Sequence, residues 1–313
     1  MNKLGFLSTA ASFLVFTLSA EAHVVRGESL LTEWHWRWDV ISVLTVFGVV
    51  YIRGWVRLRK AGGEATLRQV VSYALALGAL GGALSSPIDE LASYLLIAHM
   101  VQHELLIMVA PPLILLANPV PILVWGAGGS SRSHAGTLLA PGSVIGRLRY
   151  FFGGMPVAWS LYVVNLWAWH YPVLYDAALR IPWIHDVEHL LFFLTALMFW
   201  WPVIRPASRP APVQDGLRIF YLFLAATQDA LLSGLIALST RILYPHYQTV
   251  VRLWDLTPRE DQIGAGILMF AVGSTTYAVA ILFLVNALLG AGRRNRSTKG
   301  AACNGAEKIE GRV

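Results

Sequence analysis

A single cysteine, Cys303, stands in the whole chain. A disulfide framework and a thiolate metal cluster are therefore excluded within it, and any metal must use other ligands. Charge is scarce as well: 13% of residues are charged against 56% hydrophobic, and the mean hydropathy is +0.57. A water-soluble domain of that composition has too little polar surface to cover itself, so the bilayer must serve as its solvent. The signatures of common hydrolases and dehydrogenases are missing. There is no G-x-S-x-G, no dinucleotide-binding glycine pattern after a strand, and no H-E-x-x-H, because His103-Glu104-Leu105-Leu106-Ile107 lacks the second histidine. No internal repeat of fixed period is found. The net charge of +6 and a pI near 9.6 would suggest nucleic acid in a soluble protein. Here the basic residues sit in short loops between apolar runs and act as topology signals, so the partner is the lipid bilayer and not nucleic acid.

What is present is a series of long apolar stretches. Residues 1–22 read as a signal peptide: Lys3, then apolar Leu4 to Leu18, then the small-x-small pattern Ala20-Glu21-Ala22. An uncleaved signal anchor is the alternative. A bilayer core of about 30 Å needs roughly 20 apolar helical residues. Stretches at Val40–Val56, Leu67–Leu84, Leu91–Ala117, Pro156–Ala178, Ile184–Ile204, Ile219–Ser239 and Ile263–Leu289 meet or approach that length. The expected fold is an all-α membrane bundle of about seven transmembrane helices over 23–290, followed by a basic tail, 291–313. That tail ends in Ile309-Glu310-Gly311-Arg312, which resembles an engineered protease site and is kept out of fold reasoning. Pro111-Pro112 should kink or end the third helix, with a helix terminus the preferred reading. Trp34, Trp36 and Trp38 read as ordinary interfacial anchors.

Lys and Arg orient the bundle. Arg53, Arg57, Arg59, Lys60 and Arg68 follow the first helix, Arg132, Arg147 and Arg149 the third, and Arg205, Arg209 and Arg218 the fifth; Arg293, Arg294, Arg296 and Lys299 lie in the tail. The intervening loops are poorer in Lys and Arg. The N-terminus is expected outside and the C-terminus in the cytoplasm of a bacterial inner membrane.

Of nine histidines, only His134 falls in an expected cytoplasmic loop. His99 and His103 lie four residues apart on one helix face, and His185 and His189 repeat that spacing. At about 1.5 Å per residue, His99 should lie about 12 Å and His103 about 18 Å below the outer end of the third helix. Ionisable side chains within a membrane are costly, so two such pairs point to a metal, haem or proton role over structural hydrogen bonding. His170 and His246, taken singly, read as structural. Neutral imidazole suits copper, zinc and iron, and Met100 adjoins the first pair, so a copper site would be built from His with Met as a further candidate. Candidate carboxylates to orient such ligands are Glu104, Asp186, Glu188 and Asp229. Were the signal cleaved after Ala22, the amine and imidazole of His23 would form a Cu(II) chelate, although coincidence is the plainer reading. His185-Asp186-Val187-Glu188-His189 carries the letters of the H-x-x-E-H zinc-protease motif, a minor alternative.

Taken together, His99-Met100-Val101-Gln102-His103, Pro111-Pro112, His170-Tyr171-Pro172-Val173-Leu174-Tyr175-Asp176, His185 to His189 running into Trp200-Trp201-Pro202, Tyr244-Pro245 and Asp261-Gln262 to Met269 resemble the polytopic CtaG family of cytochrome c oxidase assembly proteins. The resemblance spans about helices two to seven, and Gly264-Ala265-Gly266 stands where that family has paired glycines. It implies a non-enzymatic role in maturing a haem-copper oxidase, with copper as the metal. His99, His103, His170, His185 and His189 would be the ligands, supported by Glu188, Asp229 and Asp186. Oxidase subunits would be partners, with a periplasmic copper chaperone as a second. The alternatives are a haem-binding electron carrier and a copper or proton transporter.

Overall fold

In the computed structural model the chain is described over residues 36–128, 154–204 and 215–310, with isolated positions at 137, 142–143, 146–147 and 151. The signal peptide, His23, His35, Trp34, His134, Arg132, Arg149, Arg205 and Arg209 lie outside the described residues.

Every regular element among the described residues is a helix. Six are long and apolar enough to cross a membrane. They are α1 (Trp38–Lys60), α2 (Leu67–Leu84), α4 (Leu96–Ala117), α8 (Pro182–Ile204), α9 (Asp215–Leu238, apolar from Gly216) and α11 (Pro258–Glu310, apolar to Gly290). Shorter helices join them: α3 (Pro87–Ala92), α5 (Pro119–Ala127), α6 (Met155–Trp169), α7 (Pro172–Arg180) and α10 (His246–Thr249).

The fourth expected span is divided. Its first part is α6, 15 residues long. The chain then leaves the helix at Tyr171, whose extended backbone is what a residue preceding proline prefers, and Pro172 starts α7. The third span also begins later than expected. Leu95 is extended (φ −130°, ψ 125°), so His99 lies about 5 Å and His103 about 11 Å below the helix start at 1.5 Å per residue.

Pro111-Pro112 does not end α4, against expectation. The helix passes through a π-helical turn, Leu105–Val109, and continues to Ala117. Pro111 has no N–H to give the carbonyl four residues back, Ile107. The indole Nε1 of Trp200 donates to that oxygen instead, at 3.0 Å. A missing donor inside one helix is thus supplied by its neighbour, and α4 is locked to α8.

Helix α4 is the most enclosed of the spans, packed against α2, α3, α8 and α11. Helix α1 is peripheral and turns Val43, Val46, Phe47, Val49 and Ile52 outward, as a lipid-facing helix would. Its inner face meets α5 backbone to backbone: a Cβ on Gly54 would overlap the Ile122 carbonyl, and one on Gly126 would overlap the Val50 carbonyl. Small residues let membrane helices approach this closely. The turn between α4 and α5 uses Asn118 in the left-handed region (φ 45°), which Asn tolerates better than most residues. Tyr51 donates to the Ala117 carbonyl at 3.0 Å, and Arg57 donates to the carbonyls of Trp125 and Gly126 at the end of α5.

Gly126→Ala should therefore push α1 from α5 and lower the unfolding temperature in detergent, at a cost of about 1–3 kcal/mol. Gly78→Ala, where a Cβ meets nothing within 4 Å, should leave it unchanged or raise it. Equal behaviour of the two variants in a thermal melt would reject this packing.

Candidate metal centre

The histidines come together because successive helices alternate in direction. The start of α4, the junction of α6 and α7, the start of α8, the loop after α9 and the start of α11 share one end of the bundle. His99, His103, His170 and His189 are each at most 5% exposed, and His185 is only partly covered. The rings are in mutual contact: centroids of His185 and His189 are 4.1 Å apart, those of His99 and His103 4.4 Å, and His103 stands 5.8 Å from His170. Ligand atoms of His99, His185, Glu188 and His189 all lie within 4.8 Å of one another.

Glu188 is at the middle of this group and is fully buried. Its Oε2 is 3.8 Å from Nε2 of His99, and its Oε1 is 3.7 Å from Nε2 of His103. These separations are too long for hydrogen bonds. They are short enough for two bonds of about 2 Å to a shared ion. Neither oxygen of Glu188 has a hydrogen-bond partner, and Nε2 of His99, His103, His170, His185 and His189, together with Nδ1 of His103, has none either.

Two histidines have their free nitrogen fixed by what the other nitrogen does. Tyr247 donates its one hydroxyl proton to the Ala92 carbonyl at 2.9 Å, since a carbonyl can only accept. Nδ1 of His99, 3.2 Å from that hydroxyl, must then carry the proton and donate, leaving Nε2 with its lone pair towards Glu188. By the same argument Nδ1 of His170 donates to the Leu166 carbonyl at 2.8 Å and frees Nε2.

The scaffold is set by polar residues that hold backbone. Asp261 at the start of α11 caps α4 from outside the helix, its two oxygens accepting from the backbone N–H groups of Leu96 and Ile97 at 2.8 and 2.9 Å. This replaces the side-chain cap that Leu95 cannot give. Gln102, between the two histidines of α4, donates to the Ala83 carbonyl and to Asp89, both at 2.7 Å. Burial pushes the Asp89 carboxyl up to about 6, with the bond from Gln102 opposing that rise. Tyr244 donates to the His170 carbonyl at 3.1 Å and stacks on Tyr175, with centroids 4.0 Å apart.

Of the eight residues expected at the site, His99, His103, His170, His185, His189 and Glu188 are brought together. Asp186 and Asp229 are not. Asp186 is half exposed and pairs with Arg37 at 3.0 Å, because it stands next to His185 on the helix and so faces a different way. Asp229 is buried in α9 against the backbone of Gly273. His246 faces away, its Nε2 donating to the Ser93 carbonyl at 3.1 Å. Tyr247 carried no signal of its own, whereas Gln102, Tyr175, Tyr244 and Asp261 sat inside the quoted motifs without an assigned task.

A helical, multi-pass membrane protein with a buried histidine and carboxylate centre at one end of its bundle is the class these features define. Residues 49–290, well over half of the chain, match the sequence profile described as Cytochrome c oxidase caa3 assembly factor (Caa3_CtaG), and the chain belongs to that family. It is 25% identical over 283 residues to an uncharacterised protein of Mycobacterium leprae (strain TN), a match covering 87% of this chain and 41% of that relative. Uncharacterised proteins of Mycobacterium bovis (strain ATCC BAA-935 / AF2122/97) and Mycobacterium tuberculosis (strain CDC 1551 / Oshkosh) are each 24% identical over 259 residues, covering 82% of this chain and 39% of the relative. The chain thus spans about two fifths of the length of these curated relatives. No solved structure matches it.

Asp261→Ala should leave two N–H groups at the start of α4 without acceptors, costing about 1–3 kcal/mol for each. Hydrogen exchange at Leu96 and Ile97 should quicken and the unfolding temperature should fall. Unchanged exchange at these two amides would show that the cap does not hold α4.

Proposed function

We propose that this protein is a non-enzymatic assembly factor for a haem-copper cytochrome c oxidase, which holds copper in the histidine centre and passes it to an oxidase subunit. The copper reaches that centre from the outer side of a bacterial inner membrane, where a periplasmic chaperone supplies it. The observation that carries this reading is the set of eight buried nitrogen and oxygen atoms of His99, His103, His170, His185, Glu188 and His189 that lack any hydrogen-bond partner. At roughly 1–3 kcal/mol for each unsatisfied group, eight such atoms would rival the whole stability of a domain. A cation bonded to the carboxylate and to imidazole lone pairs of this group offsets part of that cost and neutralises charge on Glu188.

Histidine fits copper in this chain, where thiolates are absent and affinity of nitrogen sites for divalent ions peaks at Cu(II). The bound ion supplies no chemistry here beyond being the cargo. The residues hold it: Tyr247 and the Leu166 carbonyl fix the tautomers of His99 and His170, and Asp261 and Gln102 fix the helix that carries two ligands. The basic loops Arg53 to Arg68 and the tail support an arrangement with the histidine end outside.

The haem reading loses support from the geometry. The rings touch one another at 4.1–5.8 Å between centroids, leaving no slot between them for a porphyrin as they stand. Transport across the bundle is disfavoured by the floor of the centre, where Phe192 packs under His103 at 4.6 Å and Phe199 and Trp200 follow it in the core.

The full chain purified from membranes should carry copper, and His103→Ala with His189→Ala should abolish it while elution on size exclusion stays unchanged. A deletion strain should show low oxidase activity that is restored by the wild-type chain or by excess copper, but not by the variant. Stoichiometric copper in the double variant would reject this site. Stoichiometric zinc with proteolytic activity would favour the H-x-x-E-H reading.

A further inference from the structure

We propose that the centre takes two metal ions, with the Glu188 carboxylate lying between them. This rests on the proposed function and extends it from one seat to a pair. The donors exceed what one ion can use. A closed site of the structural type has four ligands, and His99, His185, Glu188 and His189 already supply four whose ligand atoms fall within 4.8 Å of one another. His103 and His170 stand beside that group and are not members of it, yet both present free nitrogens in a buried space.

The carboxylate separates the two sets. Oε2 of Glu188 faces Nε2 of His99 at 3.8 Å, while Oε1 faces Nε2 of His103 at 3.7 Å. A carboxylate whose two oxygens address different imidazoles is suited to bridging two cations, and its single negative charge offsets part of each.

The second seat has its own preparation. His170 is committed by the Leu166 carbonyl to the tautomer that leaves its Nε2 lone pair free for a second ion. The ring centroids of His103 and His170 are 5.8 Å apart. Two nitrogens bonded at about 2 Å to one ion stand at most about 4 Å apart, and each ring centre lies further back than its nitrogen. Tyr175, fully buried, has its ring centroid 6.2 Å from that of His170 and 6.4 Å from that of His103.

The seats differ in depth. His185, in the first set, is the only one of the five histidines that is not fully covered. His103 lies one turn further into α4 than His99, and Phe192 packs beneath both His103 and His170, at 4.6 and 5.9 Å. An ion arriving at His185 meets the first seat before the second, so the inner seat fills after the outer one.

The test is a copper titration of the full chain in detergent. Bound metal is first stripped with a chelator, Cu(II) is added against a chromophoric competitor, and the protein-bound copper is counted by elemental analysis. Two equivalents are expected for the wild type. His103→Ala with His170→Ala should keep one equivalent, and His185→Ala with His189→Ala should keep the other; each retained equivalent reports an intact fold. A single equivalent in the wild type that survives His103→Ala with His170→Ala would overturn the second seat and leave the proposed function standing. Loss of both equivalents in that pair and again in His103→Gln, which keeps most of the side-chain volume, would also overturn it in favour of one shared site. No copper in the wild type would remove the proposed function along with it.

Discussion

A carboxylate without a hydrogen-bond donor, enclosed by imidazoles inside an apolar bundle, is the constraint around which this protein is arranged. Glu188 is fully buried and neither of its oxygens is bonded. Removing a lone carboxylate from water costs several kcal/mol or more, and the interior offers it no N–H or O–H in return. The five histidines around it have their own unspent nitrogens, so they do not repay the cost as hydrogen-bond donors. Under the proposed function, a bound cation would supply the positive charge that repays it.

The surrounding polar residues explain how such a centre keeps its shape. They act almost entirely on backbone: Asp261 on the first amides of α4, Gln102 on the end of α2, Tyr244 on the His170 carbonyl, Tyr247 on the Ala92 carbonyl, and Trp200 on the carbonyl that Pro111 leaves free. Each of these bonds joins segments far apart in sequence. The helix with the first two histidines is thus held at its start, its middle and its π-helical turn by three different neighbours. Side chains used in this way give up no lone pair of the centre itself.

Much of this was legible in the chain. The apolar runs located the starts of the long helices to within five residues, and Leu67–Leu84 to the residue, although α11 runs on to Glu310, past the expected end at Leu289. The i, i+4 spacing of the two histidine pairs required each pair to share a helical face. Where reading failed, the reasons were local ones overridden by neighbours. Pro111-Pro112 reads as a terminus because two donors are lost, and nothing near it announces that Trp200, about ninety residues away, will replace one of them. Asp186 and Glu188 are both acids beside histidines, and their spacing from His185 differs by two residues. That difference turns one to Arg37 at the surface and the other into the interior.

Composition and periodicity by themselves pointed to a helical chain with the bilayer as its solvent and placed the two histidine pairs, His99/His103 and His185/His189, in helices rather than loops. These are properties of single segments, decided by transfer free energy and by the 3.6-residue turn. Only the tertiary structure decided which histidines meet, which carboxylate stands among them, and which nitrogen of His99 and His170 is left free. Those outcomes depend on contacts between α4, α8, the α6–α7 junction and the loop after α9, and no local pattern encodes a hydrogen bond that closes across more than seventy residues.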